Sequence, residues 1–152
     1  MLEKVDLPAS LSKAFQQAIY QVQTPEGELK LRIGAHHPRL ARWLDTENCR
    51  GAAILTAYNP QAQLCDDSFN EAVQETLLRS LQQLGLRWWP AVNLDPAGKW
   101  PPEPGFLVLD IGLHQARWLA RLFNQLAFVY VRPDGTPSLQ QVQQRLRQSE
   151  PA

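Results

Sequence analysis

The chain has 152 residues, 44% apolar and 20% charged, and its 15 basic and 15 acidic side chains cancel. That size and balance suit one globular domain with one sizeable core. They argue against a nucleic-acid protein of the basic-stripe kind and against anchoring on an acidic membrane surface. No apolar stretch approaches the ~20 residues of a membrane helix, and Met1–Asp6 shows no apolar leader. Cys49 and Cys65 read as free thiols. A cytoplasmic protein is expected.

In chain order, a first helix is predicted over 10–18, with Ser10 as its cap. Residues 19–23 and 29–33 alternate apolar and polar around Thr24-Pro25-Glu26-Gly27, the pattern of a β-hairpin with one solvated face. Pro38 opens a short helix to about Asp45, with Leu40, Trp43 and Leu44 on one face. Residues 52–55 are an apolar run that ends abruptly in Thr56-Ala57-Tyr58-Asn59-Pro60, as a buried strand does. Ser68-Phe69-Asn70-Glu71 fits a capping box before a stripe of Phe69, Val73, Leu77, Leu81 and Leu84, closed by Gly85.

A strand follows over 86–92, and Pro90 assigns it to a sheet edge or a bulge. The stretch 95–105 is too rich in Pro and Gly for regular structure, and it leads into a buried strand at 106–109. A helix over 113–123, a strand over 126–131 and a Gln-rich helix over about 137–148 complete the chain. The fold class is α/β (α+β). A single domain spans 1–152, with a mixed β-sheet of about five or six strands and helices packed on it.

Candidate chemistry gathers at the polar residues that punctuate these elements. Thr56 and Asn59 sit at a strand end, where open α/β sheets place ligands. Pro60 is expected to hold Asn59 extended, and Asn59 fits an ordinary turn hydrogen bond equally well. Glu103, set among prolines, suits a general base or a contact to a ribose hydroxyl or a cation, and a solvated loop acid fits as well. Asn70 falls in the first turn of the long helix, and Gln125 where helix gives way to strand; each reads as a ligand contact or as a satisfied buried amide. His114, Arg117 and Arg121 share one helical face beside Trp118, a phosphate-holding arrangement or a solvated face. No phosphate-binding glycine loop, nucleophile elbow or zinc spacing is present.

The same residues, in order, resemble a family of small bacterial proteins, the domain-of-unknown-function family numbered 3293. The resemblance runs over about residues 18–131. It includes Thr56-Ala57-Tyr58-Asn59-Pro60, Asn70, Asp95-Pro96-Ala97-Gly98-Lys99-Trp100, Glu103 before Phe106-Leu107-Val108-Leu109, and Phe123-Asn124-Gln125-Leu126-Ala127. It implies that Asn59, Asn70, Glu103 and Gln125 recur together as polar positions, and it implies no activity. The chain departs from the family pattern at Pro104-Gly105 and at Asn124-Gln125-Leu126.

The expected function is binding of a polar, nucleotide- or sugar-like small molecule in an amide-rich pocket. Thr56, Asn59, Asn70 and Gln125 would serve as ligand contacts and no metal is expected. In a hydrolytic variant Glu103 is the catalytic base. The alternative is a non-enzymatic interaction module with Trp88, Trp89 or Trp100 as anchors.

Overall fold

Side chains buried on both sides of the strands at 52–55, 106–109 and 127–131 decide the architecture. The structure, a computed structural model, describes residues 7–142 in full and the backbone of 2–3 and 144–145. The elements are β1 (Leu2–Glu3), α1 (Ala9–Gln17), β2 (Ile19–Thr24), β3 (Gly27–Leu31), α2 (Pro38–Thr46) and β4 (Ala52–Leu55). They continue with α3 (Asp67–Gln83), β5 (Trp88–Leu94), β6 (Glu103–Leu109), α4 (Leu113–Leu122), β7 (Ala127–Val131), β8 (Pro137–Gln141) and β9 (Gln144–Arg145). Seven strands form one sheet in the order β3-β2-β5-β6-β4-β7-β8, and β1 pairs separately with β9. Every pairing is antiparallel. This is the expected single α+β domain, but its sheet has more strands than anticipated and is antiparallel rather than mixed among the described residues, because hairpins and long antiparallel returns join its neighbours.

The sheet curls until its two edges approach. Just beyond β3, Gly34 donates its N–H to the Pro137 carbonyl at the start of β8 (2.8 Å), and His37 donates to the Gly135 carbonyl (3.1 Å). Strand alternation then gives an inner and an outer layer. Tyr20, Val22, Leu29, Leu31, Ala91, Leu107, Leu109, Ile54 and Val129 line the inner face, where α2 adds Leu40, Trp43 and Leu44. Ala53, Leu55, Phe106, Val108 and Phe128 line the outer face beneath Leu77 and Leu81 of α3 and Ala116, Leu119 and Ala120 of α4. Each fully buried leucine here contributes about 1.5–3 kcal/mol of apolar transfer.

Several boundaries differ from the sequence expectation. The residue before α1 is Pro8, with no side-chain cap, so Ser10 lies inside the helix. The cap of α3 is Asp66, whose carboxylate accepts from Phe69 N–H at 2.8 Å, so Ser68 is not a capping-box residue. The buried face of α3 is Asn70, Gln74, Leu77 and Leu81, whereas Phe69 and Leu84 are exposed. β5 is an interior strand, not an edge. Pro90 is tolerated there because the ladder to β2 stops at Ala91 opposite Val22, so no partner requires its missing N–H on that side.

The final helix is corrected to a strand over 137–141. Pairing of Val131 with Pro137 and of Val129 with Leu139 overrides the helical spacing of Leu139 and Val142. Leu146, which that reading also used, lies outside the described residues. No helix among the described residues is long and apolar enough to cross a membrane.

Candidate functional site

The abrupt end of β4 builds the site. After Leu55 the chain passes through Thr56 and Ala57 into a turn at Asn59-Pro60, where a short 3-10 segment covers Pro60–Ala62. Asn59 adopts the left-handed region (φ 47°, ψ 62°), as do Gln61 and Ala62. The expected extended conformation is therefore overturned. Asn tolerates the left-handed region better than most residues, and hydrogen bonds hold the turn against its strain. Asn59 N–H donates to Asn70 Oδ1 (2.9 Å), Asn70 Nδ2 donates to Asn59 Oδ1 (2.8 Å), and Cys65 N–H donates to the same oxygen (3.0 Å). Gln61 N–H donates to the Asn124 carbonyl at 2.8 Å.

The Asn59 side chain thereby has one direction left for its amide hydrogens, and Nδ2 donates to Glu103 Oε2 at 3.2 Å. Glu103 is the first residue of β6 rather than a loop acid. Strand alternation puts it on the inner face with Gly105 and Leu107. Trp100 Nε1 donates to its other oxygen, Oε1, at 3.1 Å. Burial pushes the Glu103 carboxyl above the ordinary glutamate range, and the two hydrogen bonds pull it part of the way back. Tyr20, 4% exposed, has its phenol held well above the usual range, first by burial and then by the nearby Glu103 charge.

These groups line a cavity of about 430 Å³ that runs along the inner face and also touches Leu55, Ala120 and Phe128 of the outer layer. Tyr20, Ile54, Ala91, Gly105 and Val129 form apolar wall, and Asn59, Asn93, Trp100, Glu103 and Gln125 bring polar atoms. Leu11, Ala14 and Phe15 of α1 cover one side. Its volume lies in the range of small-molecule sites. Asn93 sits directly opposite Glu103 in the ladder, and its side chain makes no hydrogen bond within the described residues.

The structure brings Asn59, Asn70 and Glu103 into one network. Asn70 and Thr56, however, are spent inside the protein. Asn70 completes its set with the Cys65 carbonyl, and Thr56 Oγ1 donates to the Pro104 carbonyl (2.7 Å) while accepting from Tyr58 N–H (3.1 Å). Gln125 Nε2 donates to the Tyr58 carbonyl at 3.1 Å, which ties the turn to the start of β7.

Gln74, Trp100 as the acid's partner, Tyr20 and Asn93 were missed. Gln74 accepts from Ala57 N–H at 2.8 Å and donates to the Pro104 carbonyl at 2.9 Å. Its signal was the spacing Asn70, Gln74, Leu77, Leu81, one helical face that begins with two amides.

Two other sequence candidates dissolve. Arg117 is held by the Gln141 carbonyl and Gln140 Oε1 and lies over the Phe128 ring, so the central member of the His114–Arg117–Arg121 face is already engaged within the protein. Trp88 packs edge-on against Phe106 and Trp89 against Trp43, each only partly exposed. The first turn of α3 already holds Asp66 and Asp67, which disfavours an anion beside Asn70. Among the described residues no three His, Cys, Asp or Glu side chains gather as a metal site. Cys49 is buried, and both cysteines are free thiols.

Residues 55–128 match the family described as a protein of unknown function, DUF3293. This segment belongs to that family. The DUF3293 segment is shorter than the 18–131 resemblance, yet it holds Thr56, Asn59, Asn70, Gln74, Asn93, Trp100, Glu103 and Gln125. Tyr20 and α1 lie outside it, so the DUF3293 match covers the polar network and leaves out one flank of the cavity. No curated protein and no solved structure matches the chain.

Proposed function

We propose that the protein binds a small molecule in the inner-face cavity, with Glu103 as the polar anchor and Asn93 and Gln125 as flanking contacts. The observation that carries this reading is a partly buried acid, gripped at both oxygens by Asn59 and Trp100, in the wall of a cavity about 430 Å³ in volume. A fold that invests a strained turn and two buried amides in aiming one carboxylate has a use for it. The nucleotide- or sugar-like ligand narrows accordingly, because Asn59 and Asn70 satisfy each other and have little left to offer. A ligand with hydrogen-bond donors facing Glu103 suits the wall better. In a catalytic variant Glu103 is the general base, its raised proton affinity favouring that role. Two free thiols suit a cytoplasmic setting.

A thermal-unfolding screen of nucleotides, sugars, amines and carboxylates tests the reading. A ligand at 100 times its dissociation constant adds about 2.7 kcal/mol of stability. The stabilisation should disappear in Ala91→Leu, which fills the cavity floor, and weaken in Glu103→Gln. A hit indifferent to Ala91→Leu sinks the cavity as the site.

The rival reading, a protein-interaction module, shifts from Trp88, Trp89 and Trp100 to Trp118 and Leu122. These lie one turn apart on α4 and are 52% and 55% exposed. Self-association or partner binding lost in Trp118→Ser, with no small-molecule hit, would favour it.

A further inference from the structure

We propose that the ligand is an organic cation, an ammonium or amidinium head on an apolar body, seated with its N–H groups against Glu103. This rests on the cavity being the binding site and adds the chemical class of what it takes.

The argument starts from the acid's unmet demand. A carboxylate accepts at about four lone-pair sites. Glu103 receives one N–H at each oxygen, from Asn59 and from Trp100, so acceptor capacity remains at both. Both donors are neutral amide and indole groups. Among the described residues no Lys, Arg or His forms an ion pair with Glu103. A partly buried charge that is hydrogen-bonded and still uncompensated is costly, and a cationic guest supplies the missing opposite charge.

The charged groups around it do not fill that role. Asp95 turns its oxygens to the backbone N–H groups of Ala97, Lys99 and Trp100, so it organises the loop that carries Trp100. Lys13 and Lys99 are exposed at the rim. Tyr20 faces Glu103 across the wall, with its hydroxyl donating to the Phe15 carbonyl at 3.1 Å, away from the acid. The remaining lining suits the rest of such a guest. Tyr20, Phe15 and Trp100 bring aromatic rings to the lining, which suits a cation, and Ile54, Ala91, Val129 and Leu139 offer apolar wall to its body. An anionic head would meet the Glu103 charge directly, and a sugar would find few free polar groups to bind its hydroxyls.

Three probes of one shape and different charge test this on the full chain: 2-phenylethylammonium, 2-phenylethanol and 3-phenylpropionate. Calorimetry gives affinities, and the Trp100 indole N–H resonance, assigned with Trp100→Phe, reports occupancy beside the acid. The expected result is an ammonium affinity at least tenfold above that of the alcohol, with the propionate weakest. Glu103→Gln should lower the affinity for the ammonium far more than that for the alcohol and so abolish the tenfold preference. The wild-type ranking alone decides the matter if that variant fails to fold. Equal affinity of ammonium and alcohol, with the Trp100 resonance shifted by both, overturns the cation and leaves the cavity as the site. No binding by any of the three, and an unmoved Trp100 resonance, overturns both.

Discussion

Asn59 and Asn70 hold each other at two points. The backbone N–H of Asn59 enters Asn70 Oδ1 at 2.9 Å, and the Asn70 amide returns a hydrogen bond to Asn59 Oδ1 at 2.8 Å. Both residues are buried, at 4% and 2% exposure, so water cannot replace either bond. Asn70→Ala leaves the Asn59 N–H, the Asn59 side-chain oxygen and the Cys65 carbonyl short of a partner. An unsatisfied buried group costs about 1–3 kcal/mol, and the expected loss is roughly 2–4 kcal/mol. Urea unfolding of wild type and variant measures it. A loss below about 0.5 kcal/mol, the scale of an ordinary surface substitution, would show that the turn does not depend on the clamp.

The Glu103 carboxyl binds its proton more tightly folded than unfolded, because burial outweighs the hydrogen bonds from Asn59 and Trp100. Its stability contribution is therefore fully present below the ordinary value of 4.5 and is lost as pH rises through the raised folded value. Glu103→Gln mimics the protonated form and removes this dependence. The stability of Gln relative to wild type should rise as pH climbs from about 4 through the folded titration. Trp100→Phe deletes one of the bonds that pull the value down, so the Glu103 titration should move higher still. Side-chain carboxyl NMR follows both, and a Glu103 titration below the ordinary range would refute the account.

Gly135 closes the curled sheet. Its φ is +82°, and an added Cβ would lie 2.8 Å from Ala41 Cβ and 2.9 Å from the His37 carbonyl oxygen. Gly135→Ala combines left-handed strain of about 1–2 kcal/mol with overpacking of about 1–3 kcal/mol. The expected total is roughly 2–5 kcal/mol, read as a lower denaturation midpoint with unchanged slope. Gly85→Ala is the comparison. Gly85 has φ +69° with nothing near its Cβ position, so it should cost only the strain.

No residue of α1 is fully buried, and Tyr20 Oη donates to the Phe15 carbonyl in the last turn of that helix. Tyr20→Phe keeps the ring in the core and removes that tie. Global stability should change by about 1 kcal/mol or less, while amide exchange within 9–17 should quicken several-fold. Uniform acceleration across the chain would instead mean that the hydroxyl supports the core as a whole.

Much of this fold was legible in short apolar runs. Residues 52–55, 106–109 and 127–131 are buried strands because no solvated face interrupts them. The hairpin of β2 and β3 followed from alternation around a Pro-Gly turn. What failed was period in ambiguous segments. Leu139 and Val142 fit a helix in isolation, but the turn at Asp134-Gly135 lies in a five-residue loop between Val131 and Pro137, the spacing of a β-hairpin. Pro90 pointed to an edge because the sequence does not show where a neighbouring ladder stops.

At the site, Asn59, Asn70 and Glu103 were visible as polar interruptions of apolar pattern, but their division of labour was not. Whether an amide faces a ligand or another amide depends on contacts between residues 11 and 44 positions apart, as in the Asn59–Asn70 and Asn59–Glu103 bonds.

The three left-handed residues at 59–62 carry a consequence for how the two layers communicate. Their supports come from α3, through Asn70, and from Asn124 just past α4, both on the outer side of the sheet. The acid they aim faces the opposite side. The outer layer is thus connected to Glu103 through a single turn. If α3 slides by a fraction of an ångström, the Asn59–Glu103 bond lengthens and the acid becomes weaker. The proton affinity of an interior carboxyl is thereby tied, through one turn, to the seating of a helix on the other side of the sheet.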